Sequence, residues 1–143
     1  MKLNTMAAVM SFVSKIENDT SSFYQDYADK HHELKEIFLF WANENKKFEK
    51  MVKQTYFGVI TDAIESNFSF GDLNTDDFKI ETILPENANL NAAKKRAQEI
   101  EDTIKDFYLK AAQLSEGLMA DIPRLFIKIA KKREERSRSI DSL

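Results

Sequence analysis

The chain has no cysteine and, among its 143 residues, only three glycines, two prolines and one tryptophan. Without cysteine it cannot form a disulfide, a thiolate zinc or iron–sulfur site, or a cysteine nucleophile, and a cytoplasmic setting is the expectation. Scarce glycine and proline leave long stretches without a helix breaker. Ala, Glu, Lys, Leu, Ile and Phe fill them, which points to an all-α fold. No run approaches the ~20 apolar residues of a membrane span. The modestly apolar stretch from Met6 to Val13 is short, is interrupted by Ser11 and lacks a small-x-small cleavage pattern, so no signal peptide is expected. A net charge of −3 gives no bulk attraction to nucleic acid or anionic membrane. Neither a glycine-rich phosphate loop nor a Ser/His/Asp constellation is evident. This length suits a single domain, 1–143, built around one core.

The sequence is rich instead in helical periodicity. Leu3, Met6, Met10, Val13, Glu17, Thr20, Tyr24 and Tyr27 alternate by threes and fours, which winds them onto one face of a helix over about 3–29. Leu34, Phe38, Trp41, Asn45, Phe48, Val52, Thr55 and Val59 repeat the pattern over about 33–65. The short Lys30-His31-His32 connection favours antiparallel neighbours. Both histidines are expected in solvent rather than on a metal. From Ser66 to Ala88 the periodicity lapses into a long crossover, with Phe68, Phe70, Phe78 and Ile83 expected to pin it down and a short helix placed near Thr75 to Ile83. A third helix, about 89–114, carries Leu90, Ala93, Ala97, Glu101, Ile104, Tyr108 and Ala111 on its inner face. A fourth, about 121–140, steps through Ile122, Phe126, Ile129, Arg133, Arg136, Ile140 and Leu143. Its last turn is expected to fray, because Ser137, Arg138, Ser139 and Asp141 are weak anchors.

The halves superpose. Ile16-Glu17 falls on Ile100-Glu101, Phe23-Tyr24 on Phe107-Tyr108, Phe38 and Ala42 on Phe126 and Ala130, Asn45 on Arg133, and Phe48 on Arg136. Each helix thus offers a polar residue in its seam at one level: Glu17, Asn45, Glu101 and Arg133. A buried ionised carboxylate costs several kcal/mol unless a metal, a cation or hydrogen bonds compensate it, so two of them in apolar seams require a compensator.

These residues resemble the rubrerythrin branch of the ferritin-like superfamily, whose odd helices carry Glu-x6-Tyr and whose even helices carry Phe-x3-Ala-x2-Glu-x2-His. The resemblance runs from about Met6 to Arg136. It implies a ferritin-like four-helix bundle of two helical hairpins joined by the long crossover, and a helix-packed homodimer. In that family one Glu from the first and third helices and a Glu-x-x-His pair from the second and fourth hold two iron or manganese ions. Glu17 and Glu101 occupy matching positions. The even helices keep Phe38, Ala42, Phe126 and Ala130 but carry Asn45, Phe48, Arg133 and Arg136 where the four other ligands would stand. Phenylalanine donates nothing to iron, asparagine is a weak neutral ligand, and arginine repels a cation. The expectation is therefore a degenerate di-metal site without a cofactor, in which Arg133 bonds Glu17 and Glu101 in place of the metal charge.

Two alternatives stay open. Glu44, beside Asn45, could join Glu17 and Glu101 around one loosely held ion, giving an iron or manganese oxidase or peroxidase that needs an external electron donor, since the cysteine-free chain has no rubredoxin-like domain. Tyr24 and Tyr108 would then stand one or two turns from the carboxylates as hydroxyl donors, a role weighed against simple core packing. Alternatively, the seven basic residues between Arg124 and Arg138 mark an adaptor for RNA, lipid or an acidic protein. No aromatic interleaving or recognition-helix pattern supports nucleic-acid specificity.

Overall fold

The computed structural model describes residues 1–59, 69–118 and 120–143. Among these, four α-helices form two hairpins: α1 (Met6–Lys30) with α2 (Lys35–Val59), and α3 (Leu90–Leu114) with α4 (Asp121–Ile140). Within each hairpin the helices pack along their length, and the hairpins meet through α1 against α3 and α2 against α4. A 3-10 turn at His32–Leu34 joins α1 to α2. No helix among the described residues is long and apolar enough to cross a membrane.

The first helix starts later than its periodicity suggests. Thr5 caps it by accepting a hydrogen bond from the Ala8 N–H at 3.1 Å, and the residues before it are extended. They pair with the crossover: the Leu3 N–H donates to the Leu73 carbonyl at 2.7 Å and the Phe70 N–H to Asn4 at 3.0 Å. Leu3 is buried by this pairing and not by a helix face. Asn89 caps α3 in the same manner through Ala92. The stretch 60–65 at the end of the second predicted helix, and Phe68, lie outside the described residues.

The crossover holds one short 3-10 helix, Thr75–Phe78, in place of a helix reaching Ile83. Phe70 is buried and Phe78 packs edge-on against Phe107 at 5.5 Å. Ile83 is 78% exposed, contrary to the anchoring role its hydrophobicity suggests. Ile80 and Leu84 pack against the core instead, so on this extended stretch Ile83 falls on the outer side.

The end of α4 is anchored. The Ser137 hydroxyl donates to Asp102 at 2.6 Å, the Gln98 amide donates to the Ser137 carbonyl at 2.8 Å, and Ile140 is buried. These contacts to α3 replace the fraying expected of a serine-rich turn. Leu143, beyond the helix, is 42% exposed and takes no part in the seam.

The internal repeat is visible in the packing. Tyr24 meets Phe38 with ring centroids 4.8 Å apart in the first hairpin, and Tyr108 meets Phe126 at 5.9 Å in the second. Both aromatic pairs are fully buried and flank the central polar layer.

Candidate functional site: a buried carboxylate–guanidinium cluster

Glu17, Asn45, Glu101 and Arg133 have no solvent exposure, and Arg136 has almost none. Each lies on the core-facing stripe of its own helix, so four helices converge on one polar layer. Arg133 occupies the middle. Its Nη1 donates to both oxygens of Glu101, at 2.9 and 3.1 Å, and its Nη2 donates to Oε1 of Glu17. One guanidinium therefore bridges the carboxylates of α1 and α3.

Two tyrosines complete the carboxylates, each from the opposite hairpin. Tyr24 of α1 donates its hydroxyl proton to Glu101 of α3, and Tyr108 of α3 donates to Oε2 of Glu17 at 2.8 Å. The exchange is reciprocal, so the layer couples the two hairpins and does not close within either. Core packing alone is thus not the whole role of these rings.

Arg136, one turn after Arg133, reaches toward solvent along α2. Its Nη1 donates to Asn45 Oδ1 at 2.7 Å and to Glu101 at 3.1 Å. Its Nη2 donates to Glu44 at 2.7 Å and to the Trp41 carbonyl at 3.3 Å. Asn45 passes the network on by donating from Nδ2 to the Thr20 hydroxyl at 2.7 Å, and that hydroxyl donates to the Ile16 carbonyl. Phe48 supplies no ligand atom, but its ring lies 5.4 Å from the Arg133 guanidinium carbon and 5.3 Å from that of Arg136. Trp41 stacks on Arg136 at a similar distance. Aromatic faces thus take the place of water around both cations.

Electrostatics follow from this burial. Desolvation pushes the Glu101 carboxyl up from its ordinary value, while Arg136 and the Tyr24 hydrogen bond pull it down. Burial lowers the Arg133 pKa well below the ordinary arginine value, and the like charge of Arg136 adds to that. Its Nη donors nonetheless aim at carboxylate oxygens of two different helices, an arrangement that favours the cationic form even though its buried Nε has no acceptor among the described residues. For Arg136, burial opposes the charge, but Glu101, Tyr24 and Glu44 outweigh it and raise the pKa. Burial also raises Tyr24 well above the phenol value, and Glu101 beside it adds to the shift. Tyr108 is raised too, by burial first and then Glu101.

Several participants carry no distinct signal in the periodicity. Glu44 turns to Arg136 and sits 3.9 Å from Lys132 at the solvent edge of the layer, with its side chain 19% exposed. The Trp41 carbonyl is likewise drawn in, whereas Thr20, which the spacing of α1 does place in the seam, links Asn45 to the α1 backbone. The clue available in the sequence was Arg136 itself, since a second guanidinium one turn from Arg133 needs its own acceptors. Among the described residues, no three His, Asp or Glu side chains converge as a metal-ligand set. His32 is exposed, whereas His31 is half-buried, stacks on Tyr27 at 6.3 Å and has a buried Nε2 without a hydrogen-bond partner. Its solvation is therefore less complete than its loop position suggests.

The donor set does not fit two divalent cations. Both buried carboxylates already bond a guanidinium and a tyrosine hydroxyl, and the other residues around them are two arginines, an amide and a phenyl ring. Comparison with family models, curated proteins and solved structures gives no match for the chain.

Proposed function

We propose that this chain is a rubrerythrin-related bundle of the ferritin-like kind whose di-metal site has been replaced by an internal ion cluster, and that it acts as a non-catalytic scaffold or interaction module. The observation that carries this reading is Arg133, fully buried and bonded to both Glu17 and Glu101, the two positions at which the resemblance implies metal-binding carboxylates. The reciprocal Tyr24–Glu101 and Tyr108–Glu17 hydrogen bonds support it further, because they tie the matching halves of the repeat across its pseudo-symmetry. A resident cation outcompetes an incoming one by occupying the acceptor lone pairs and by repulsion. The cluster's role is then to hold two hairpins in one register. Buried polar networks serve such specificity in some systems.

Metal analysis tests the reading. Purified protein is expected to carry no stoichiometric iron or manganese. Anaerobic addition of iron(II) followed by oxygen is expected to give no oxo-bridge absorption band. Two irons bound per chain, with such a band, would reverse the conclusion in favour of a di-iron oxidase.

A further inference from the structure

The outer faces of α2 and α4 carry a charge pattern that the buried cluster does not use. The two helices run antiparallel: Glu44 meets Lys132 and Arg136 near one end, and Thr55 and Gly58 share a cleft with Asp121 and Leu125 near the other. That register sets Lys47 and Lys50 of α2 opposite Lys128 and Lys131 of α4. All four are exposed, as is Arg124, and none makes an ion pair among the described residues. Apolar groups mark both ends of this groove. Phe40 is 58% exposed beside a cleft of about 250 Å³ that Glu44 and Glu135 also line, and Met51 and Leu125 line another of about 430 Å³ together with Asp121, so the lysine-bearing stretch lies between the two.

The other side of the bundle is covered by a net-acidic segment. The crossover lies over α1 and α3, where Phe78 packs on Phe107, the Leu84 N–H donates to the Tyr27 hydroxyl, and Arg96 donates to the Glu81 carbonyl. It brings Asp72, Asp76, Asp77, Glu81 and Glu86 against the single cation Lys79. The crossover is therefore net acidic, whereas the middle of the α2–α4 groove, between the carboxylates of Glu44 and Glu135 at one end and Asp121 at the other, is net basic and no described element lies across it. Lysines are point charges on flexible stems, which suits carboxylates distributed along a helix better than planar, bidentate phosphate recognition.

We propose that the α2–α4 groove docks an acidic amphipathic helix from a partner protein. The partner's apolar side chains enter the clefts beside Phe40 and beside Met51 and Leu125, while its carboxylates, confined to the stretch between the two, face Lys47, Lys50, Lys128 and Lys131. The proposal gives the interactive role suggested above a partner class, but it draws only on surface residues and stands or falls independently of metal binding.

The test uses the full chain and a fluorescein-labelled synthetic helix of about 18 residues, long enough to span both clefts, with leucines on one face and glutamates confined to its middle turns. A scramble of the same composition, which breaks the apolar face, serves as control, and binding is read by anisotropy. Saturable binding to the amphipathic peptide alone, weakening with added salt, is expected. Binding should weaken about tenfold or more in the triple variant Lys47→Glu/Lys128→Glu/Lys131→Glu and fall in Phe40→Ser, with circular dichroism and Trp41 fluorescence unchanged. No saturable binding, equal binding of the scramble, or indifference to charge reversal overturns the proposal. So does tighter binding of phosphatidylserine vesicles or of a short single-stranded RNA, which would assign the groove to a membrane or to nucleic acid. A concentration-dependent dimer abolished by the triple variant would also overturn it, naming the acidic crossover of a second copy as the occupant.

Discussion

Arg133→Met removes the central cation while keeping most of the side chain's bulk, so the resulting loss reports charge compensation more than a cavity. Wild-type Arg133 donates three hydrogen bonds to two carboxylates, and all three residues are fully buried. The two carboxylates are not affected equally. Glu101 retains Arg136 and Tyr24, whereas Glu17 retains only the Tyr108 hydroxyl among the described groups. Leaving a buried charge without its partner costs about 3–5 kcal/mol. With a urea slope of about 2 kcal/mol per M, a loss of that size moves the unfolding midpoint down by roughly 2 M. Far-UV circular dichroism during urea titration, with Trp41 fluorescence as a second probe, measures it. The double variant Arg133→Met/Glu17→Gln removes the orphaned charge together with its partner and should recover most of the loss, which also keeps the test readable if the single variant fails to fold. A cost below about 1 kcal/mol for Arg133→Met is what a solvated surface pair gives, and it would refute the reasoning.

Further expectations follow from the same layer and from the crossover. Tyr24 and Tyr108 have folded pKa values above the phenol value, so their contribution to stability is complete below pH ~10 and is lost as pH rises from there toward the folded values, at about 2.7 kcal/mol per pH unit for the pair. An absorbance titration at alkaline pH should show these two of the four tyrosines ionising only with unfolding, and their free titration in the folded protein would contradict the burial. Tyr108→Phe removes a hydrogen bond to a charged acceptor and should cost about 1.5–3 kcal/mol by urea unfolding; a neutral result would mean that water replaces the hydroxyl. In the crossover, Phe70→Ala should cost about 3–5 kcal/mol, whereas Ile83→Ser should stay within about 0.5 kcal/mol of wild type. Equal costs would show that Ile83 is covered.

Much of the helical framework was legible because periodicity is a local property. Steps of three and four residues identified the core faces of all four helices, and Glu17, Asn45, Glu101 and Arg133 fell on those faces by position alone. What escaped depended on contacts distant in sequence. Leu3 continues the spacing of α1 yet sits outside the helix, because the Thr5 cap and the pairing with Leu73 decide where the helix starts. Ile83 reads as an anchor, but its direction is set by how the extended crossover lies on α3. Ser137 reads as weak until Asp102 is brought beside it. Within the cluster, the exchange of tyrosines between hairpins depends on how α1 and α3 are apposed, which neither hairpin's sequence specifies alone. Glu44 occupies a partly exposed helix position like many others, and only the approach of α4, with Arg136 and Lys132, gives it partners.

The structural consequence of the cluster is that two similar hairpins, each with an unsatisfied charge in its core, become mutually dependent. Glu17 finds its hydrogen-bonding partners on α3 and α4, and Glu101 finds its own on α1 and α4. Either hairpin alone would bury at least one charge without compensation, which favours a single cooperative unfolding unit over two separable ones.

The most direct test of a guanidinium standing in place of metal is a crystal structure of protein soaked anaerobically in iron(II), with anomalous data collected on both sides of the iron edge. Density for Arg133 between Glu17 and Glu101, with no anomalous peak in the bundle core, is the predicted result. Anomalous peaks between the two carboxylates, with Arg133 and Arg136 turned out to solvent, would contradict it.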